Sequence, residues 1–421
     1  MLSERAQRIL GRAREYEESM VDVLRGMCGC ETPTEEPARQ ESMFAILGEA
    51  LEEMGYRCRR LEGHHSGGQL LAYPRDRMRS KPCQLLMGHV DTVWPVGTLE
   101  TMPVTMDDGV LRGPGAYDMK SGLVILLFAL RILNDLDIPL SLTPVVFFNS
   151  DEEKGSHESS RRIARLARCV DRAFVLEPSL GPEGRLKTAR KGVGRYRIEI
   201  KGRAAHAGLD PQSGASAILE MSHQVQRLFA LNDTSRGITV NVGTVVGGLG
   251  VNVIAPTSRA EIDVRVPSLE LADELARVIT SLEPVTPGVS VHVSCTSFRA
   301  PMEANERNQA LWSQAVEMAD YLELPLLEGT SGGASDGNIT SSYTATLDGL
   351  GAVGAGAHAE HEQVQIASLV ERTSLLAMLV QTPSCTGRVG ARGERAMEDA
   401  GKASGSPCGK DSSCGISSAL H

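Results

Sequence analysis

The apolar positions of the chain first repeat at helical spacing. Residues 4–27 and 36–55 read as amphipathic helices, and in the second Met43, Ile46, Leu47, Ala50, Leu51 and Met54 share one face. Short apolar runs then alternate with helical segments. Gln84-Leu-Leu-Met reads as a buried strand ending at Gly88-His89. Residues 119–135 read as a helix, strongly apolar over Leu123–Leu130. Pro144-Val-Val-Phe-Phe is a second buried strand, ending at Asn149-Ser-Asp-Glu-Glu, and Ala173-Phe-Val-Leu is a third, ending at Glu177. Strands separated by helices predict an α/β layer built on a mostly parallel sheet.

The pattern changes near residue 190. Tyr196, Ile198 and Ile200 alternate with Arg197, Glu199 and Lys201, the mark of a strand with one wet face. A helix over 214–231, strands 238–246 and 257–266, a helix 268–283 and a strand 289–297 follow. The order β-α-β-β-α-β predicts a ferredoxin-like sandwich. Helix–strand material with a Gly-rich loop resumes after residue 300, so the sandwich reads as an insertion, 190–299, between 1–189 and 300–382. Residues 383–421 are rich in Gly, Ser and Ala and poor in large apolar groups, and are expected to be disordered.

Composition narrows the class. A length of 421 residues predicts two or three core-forming units. Aromatics are only 4%, so the core must rest on Leu, Val, Ile, Ala and Met. The formal net charge is −10 and no basic stripe with interleaved aromatics is visible, which argues against a nucleic-acid partner. The charged opening, MLSERAQRILGRAREYEES, has neither the apolar core nor the small-residue cleavage site of a signal peptide. The longest apolar run, Leu123 to Leu130, is too short to span a bilayer, so no membrane role is expected. Nine cysteines lie without any CxxC pair, Cys28-Gly-Cys30 being the closest, and read as free thiols of a cytoplasmic protein.

The chemistry lies at the strand ends. His89-Val-Asp91, Glu152-Glu153 and Glu177 each follow a buried strand, and Asp118 opens a helix in Gly115-Ala-Tyr-Asp-Met-Lys-Ser-Gly122. Open α/β sheets gather ligands at the carboxyl ends of their strands, so these groups are expected to converge, with His358 of Gly354-Ala-Gly-Ala-His completing the set. Imidazole and carboxylate donors suit zinc, and also manganese or cobalt. Two divalent ions bring +4, Asp118, Glu153 and Glu177 bring −3, and one hydroxide brings the sum to zero. A shared carboxylate would hold the ions about 3.5–4 Å apart. Glu152, beside a ligand, could then move the water's proton to the leaving nitrogen. Asp91 is placed to accept the second N–H of His89. Taken singly, such a Glu pair is most often a solvated turn, a His after a strand is more often satisfied structure than a ligand, and Asp118 reads as a helix N-cap. The joint placement is what points to metal.

These segments also carry a resemblance. Met87-Gly-His-Val-Asp91-Thr-Val, Gly113-Pro-Gly-Ala-Tyr-Asp118-Met-Lys-Ser-Gly, Asn149-Ser-Asp-Glu152-Glu153-Lys-Gly-Ser, Glu177-Pro, Lys201-Gly-Arg-Ala-Ala-His206-Ala-Gly and Gly354-Ala-Gly-Ala-His358 stand in order over about residues 15–382. Together they resemble the zinc metallohydrolases that include glutamate carboxypeptidase, aminoacylase, acetylornithine deacetylase and succinyl-diaminopimelate desuccinylase, with the glutamate carboxypeptidases nearest in look. The resemblance implies a phosphorylase/hydrolase-like catalytic domain and an inserted ferredoxin-like dimerisation (lid) domain. It implies two divalent ions, zinc first and cobalt or manganese as alternatives. One would be held by His89 and Glu177, the other by Glu153 and His358, with Asp118 bridging and Glu152 as general base. It implies a cis peptide after Asp118 and a homodimer in which His206 reaches the partner's site to stabilise an oxyanion. Asn252 and Arg265 match positions that hold a substrate carboxylate, a task that suits the fork of Arg. The loop Gly329-Thr-Ser-Gly332-Gly333-Ala-Ser-Asp336-Gly-Asn resembles the family's pocket wall and lacks the Lys-Ser/Thr ending of a phosphate loop.

Three functions follow as expectations. The first is a metallo-carboxypeptidase acting on a small substrate or peptide with a free carboxylate. The second is an N-acyl-amino-acid deacylase. The third is a binder of amino-acid derivatives that kept the fold, against which Glu152 speaks, since binding needs no general base. His361, three residues after His358, departs from the pattern and could compete as a ligand. His64, His65 and His157 read as surface residues.

Overall fold

The structure, a computed structural model, describes residues 2–78 and 81–384. The expected disorder of the tail falls on residues 385–421, outside the described residues. The chain divides into two compact units. The first holds the residues up to Thr188, Ala304–Ser331 and the chain from Ser335; the second holds Ala189–Glu303 with Gly332–Ala334.

In the first unit a six-stranded sheet runs in the order Tyr56–Leu61, Gln69–Pro74, Thr143–Asn149, Cys83–His89, Arg172–Val175, Ala345–Leu347. The last four are mutually parallel, and Gln69–Pro74 runs antiparallel to both of its neighbours. All seven residues of Thr143–Asn149 are buried, as expected of a strand covered on both faces. His89 lies in register with Asn149, and the N–H of Leu176 donates to the Met87 carbonyl, so three strands end level. His89, Glu152-Glu153 and Glu177 follow from that one edge.

The helix Ser121–Asp135 is apolar nearly all round and accordingly buried. It packs against Ala367–Gln381, which is buried as thoroughly. A Cβ on Gly122 would overlap the Leu176 carbonyl, so only glycine lets the helix start close to the strand end that carries Glu177. Arg172 is fully buried and donates to the carbonyls of Leu379 and Thr382, satisfying the last turn of the other helix.

Several boundaries differ from expectation. The helix read over 4–27 breaks at Tyr16 into Leu2–Glu15 and Glu17–Cys28. Tyr16 packs edge-on against Phe128 and donates its hydroxyl to Asp135, tertiary contacts that periodicity does not encode. The segment 36–55 is a 3₁₀ turn, Pro37–Gln40, followed by the helix Glu41–Glu53. Tyr56–Leu61 and Gln69–Pro74 were not expected as strands; the first is an edge strand laced with Arg57, Arg59 and Arg60, a charge pattern that discourages edge pairing and hides the strand.

The second unit is a four-stranded antiparallel sheet in the order Thr239–Gly247, Thr257–Val266, Gly192–Lys201, Ser290–Arg299, with helices Ala217–Phe229 and Leu269–Thr280. Tyr196, Ile198 and Ile200 face the helices in one apolar cluster with Met221, Leu228, Leu275 and Ile279. This is the ferredoxin-like sandwich that the alternation predicts. Among the described residues, no helix of either unit is long and apolar enough to cross a membrane.

Candidate metal centre

The first unit brings His89, Asp91, Asp118, Glu152, Glu153, Glu177 and His358 together. Asp118 sits between the two histidines: Nε2 of His89 is 3.3 Å from its Oδ1, and Nε2 of His358 is 3.4 Å from its Oδ2. His89 Nε2 is also 3.6 Å from Glu177, and His358 Nε2 is 3.1 Å from Glu153. Two donors on one tetrahedral ion, with bonds of about 2.0–2.1 Å, lie about 3.3 Å apart. The observed separations match that spacing.

Burial sharpens the fit. Nε2 of His89, Oδ1 of Asp118 and Oε1 of Glu153 are buried and find no hydrogen-bond partner among the described residues. A buried polar atom left unpaired is costly, and three in one cluster mark a place built for something that accepts their lone pairs. Ligand atoms of His89, Asp118 and Glu153, and of His89, Glu152 and Glu177, each fall within 4.8 Å of one another. The donor set, imidazoles and carboxylates, fits divalent ions such as zinc.

The electrostatics agree. Burial opposes a charge on His89, but the carboxylates of Asp118, Asp91 and Glu177 outweigh it and raise its pKa well above the ordinary value. Asp118 and Glu153 raise that of His358 to about 10. Burial works against ionised Asp118 too, yet His358 and His89 hold its pKa far below the carboxylate range. The carboxylates thus favour positive charge where the two imidazoles meet them.

Each side chain has a local cause. Nδ1 of His89 donates to the carbonyl oxygen of Asp91 at 2.9 Å, which leaves Nε2 facing the cluster. The Asp91 carboxylate is farther off, at 3.5 Å, so the main chain is the nearer partner where the side chain was expected to be. That carboxylate instead accepts the Thr34 hydroxyl and the backbone N–H groups of Glu152 and Glu153, pinning the acidic turn to the His89 strand. The turn is held again where Asn149 and Ser156 donate to the buried Asp336. The Asp118–Met119 peptide is cis, as the resemblance implied. His358 adopts a left-handed conformation, φ 61°, unusual for a residue with a side chain. His361 is exposed, and the contacts to Asp118 and Glu153 are made by His358.

The remaining expected site residues lie in the second unit. Ala207 N–H donates to the Asn252 carbonyl and Ile254 N–H to Ala205, so His206 and Asn252 stand on paired segments. Nδ1 of exposed His206 accepts the N–H groups of Gly208 and Leu209, each at 3.1 Å, which puts the ring proton on Nε2. Arg265 donates to Asp263 and to the Gly332 carbonyl, and Arg190 donates to the Gly333 carbonyl. One residue escaped the sequence reasoning. Glu362 is fully buried and its carboxylate accepts the backbone N–H of Asp118. The available signal was an acid four residues beyond His358 in a loop of small residues.

His89 and carboxylates at the ends of parallel strands, with His358 added from the loop after Gly354–Ala355, make the donor set of a metallohydrolase. Comparison with known proteins gives the family: residues 85–382 match Peptidase family M20/M25/M40, and the chain belongs to it. It is a metal-dependent hydrolase. It is 30% identical over 303 residues to carboxypeptidase G2 of Pseudomonas sp. (strain RS-16), covering 70% of this chain and 72% of that protein. It is 28% identical over 349 residues to succinyl-diaminopimelate desuccinylase 2 of Shewanella loihica, covering 77% and 90%. Among solved structures, a tripeptidase from Staphylococcus aureus superposes with a TM-score of 0.71 at 22% identity over 87% of this chain and 98% of that one. The YXEP protein of Bacillus subtilis, described as a dinuclear metal binding peptidase, superposes with a TM-score of 0.66 at 15% identity over 87% and 98%.

Proposed function

We propose that the protein hydrolyses an amide or peptide bond next to a carboxylate, as a glutamate-carboxypeptidase-like metallopeptidase. The observation that carries this is Asp118 turning one carboxylate oxygen to each of two histidines amid unpaired buried donor atoms. His89 and Glu177 would hold one divalent ion, Glu153 and His358 the other, and Asp118 both. When bound, such ions make a water acidic enough to serve as nucleophile at neutral pH and polarise the scissile carbonyl.

The chain's own residues do the rest. Glu152, half-buried beside His89 and Glu177, takes the water's proton and returns it to the leaving nitrogen. Asp91 keeps Glu152 in place through the backbone of the acidic turn. His206 reaches the site of the second chain of a homodimer, where its Nε2–H donates to the developing oxyanion. Arg265 and Asn252, with Gly332 and Gly333 as pocket wall, bind the substrate's carboxylate, the feature that favours an acidic leaving residue. Zinc suits the donor set best, with cobalt or manganese as alternatives.

A homodimer is part of the reading. The strand Thr239–Gly247 is a sheet edge with Val245 and Val246 exposed, and Ile218 and Leu219 of the helix Ala217–Phe229 are also exposed. Such an apolar edge on a soluble enzyme calls for a cover. All six described cysteines are free, which supports a cytoplasmic setting.

N-acyl-amino-acid deacylation is the second reading, favoured by the likeness to proteins named succinyl-diaminopimelate desuccinylase and acetylornithine deacetylase. A panel of Glu-terminated dipeptides, set against N-acetyl and N-succinyl diamino acids, separates the two. Higher kcat/KM on the first group supports the carboxypeptidase reading. Higher kcat/KM on the second gives the deacylase.

A further inference from the structure

Glu362 makes contacts that a buried acid rarely makes by accident. Its side chain is completely buried. Oε1 accepts the backbone N–H groups of Tyr117 and Asp118, each at 2.9 Å. Oε2 accepts the N–H of Gly115 at 2.9 Å and the indole N–H of Trp94 at 2.8 Å. Four N–H donors therefore converge on one carboxylate, three of them from a single turn of main chain that wraps it as an anion-binding nest. Gly115 shapes that turn with a left-handed φ of 71°, and a Cβ there would press on Thr92 at 2.7 Å.

The consequence lies in where the two ends of one short segment touch. At residue 358 the imidazole faces Oδ2 of Asp118 at 3.4 Å. At residue 362 the carboxylate grips the N–H of the same Asp118 at 2.9 Å. The segment thus clamps Asp118 by side chain and main chain together. The donors on the other side of Asp118 come from elsewhere: His89 ends a sheet strand, and Glu177 follows one.

We infer that Glu362 is a positioning residue that fixes Asp118 relative to His358, and so sets the affinity of the ion held by His358 and Glu153 more strongly than that of the His89–Glu177 ion, which shares only Asp118 with it. The inference rests on the two-ion assignment of the proposed function. Glu362→Gln keeps the shape but turns an amide N–H₂ toward donors, so part of the nest is lost. Partners of metal ligands set affinity by about 10–100-fold; a loss of that size is expected at the His358–Glu153 ion, and a clearly smaller one at the other.

The test is a titration of metal-free protein with cobalt(II) alone, followed by its d–d absorption and by calorimetry, with no substrate present. Wild-type chain must take two ions; if it does not, the two-ion assignment fails, whatever Glu362 does. If wild type takes two and Glu362→Gln binds both with wild-type affinity, the inference on Glu362 fails and the assignment stands. A variant whose metal-free melting temperature drops while both affinities move together has lost structure rather than positioning, and that also overturns it. Glu362→Asp, which keeps the charge but draws the carboxylate back by one methylene, guards against a Gln variant that does not fold; it too should weaken the His358–Glu153 ion more than the other, and equal losses at the two ions would refute the inference. In turnover, kcat should fall with KM held.

Discussion

The two units present polar side chains in opposite ways. In the first, His89, Asp118 and Glu153 are turned inward on one another, with buried atoms unpaired and pKa values pushed apart by their mutual charge. In the second, His206 is exposed, with one ring nitrogen already satisfied by two backbone amides, and Arg265 is tied to Asp263 and Gly332. The donor atoms of the first arrangement fit cations. The second is finished locally and offers one donor nitrogen and an arginine outward. A metal site must be prearranged because unpaired buried donors are costly, whereas oxyanion and carboxylate donors can wait in water until substrate arrives.

The sharpest way to break that contrast is at Glu152. Glu152→Gln should lower kcat by about 10²–10⁴-fold, the usual worth of a general base, with metal content unchanged. Full activity, measured by steady-state kinetics on metal-loaded protein, would remove Glu152 from the proton path, and loss of an ion would make it a ligand. His206→Ala comes next. It should cost about 10²–10³-fold in kcat, the range for an oxyanion donor, again with both ions bound. Mixing it with the Glu152 variant should restore part of the activity if the site is shared across a dimer. No recovery after proven subunit exchange would place the whole site in one chain. Arg265→Ala should act mainly on KM, weakening substrates with a free carboxylate by about 10–100-fold, as expected for a lost charged hydrogen bond of about 1.5–3 kcal/mol, and leaving their amides unaffected.

The smallest expected effect concerns protons. The carboxylates raise the pKa of both histidines, that of His358 to about 10, so His358 is charged at neutral pH and must lose its proton to bind an ion. Calorimetry at pH 7.5 in buffers of different ionisation enthalpy should therefore show about one proton released by His358 per chain. Affinity should fall as pH falls. Above about pH 10 the share from His358 should vanish, because its ring is then already neutral. Proton release that does not change with pH would contradict the arrangement.

How far the sequence shows this depends on the kind of interaction. His89, Glu153 and Glu177 were legible because each follows a run of consecutive apolar residues, and a parallel sheet brings such ends level. The sandwich was legible because one wet face leaves strict alternation, as at Tyr196 to Lys201. The arginine-rich edge strand Tyr56–Leu61 was not, because its charges answer to negative selection against edge pairing rather than to burial. Glu362 was not, because its partners are backbone N–H groups around residue 116 and an indole at residue 94, and main-chain donors leave no trace in side-chain spelling. Nor could spacing tell that Asp91 would steady His89 through its carbonyl and use its carboxylate on the Glu152 turn.

The most direct measurement is anomalous diffraction at the zinc edge from crystals of the zinc-loaded protein. Two peaks are expected, about 3.5–4 Å apart as in two-metal hydrolases, one between His89 and Glu177, the other between Glu153 and His358, with an Asp118 oxygen on each. A single peak, or two that leave Asp118 uncoordinated, would contradict the account.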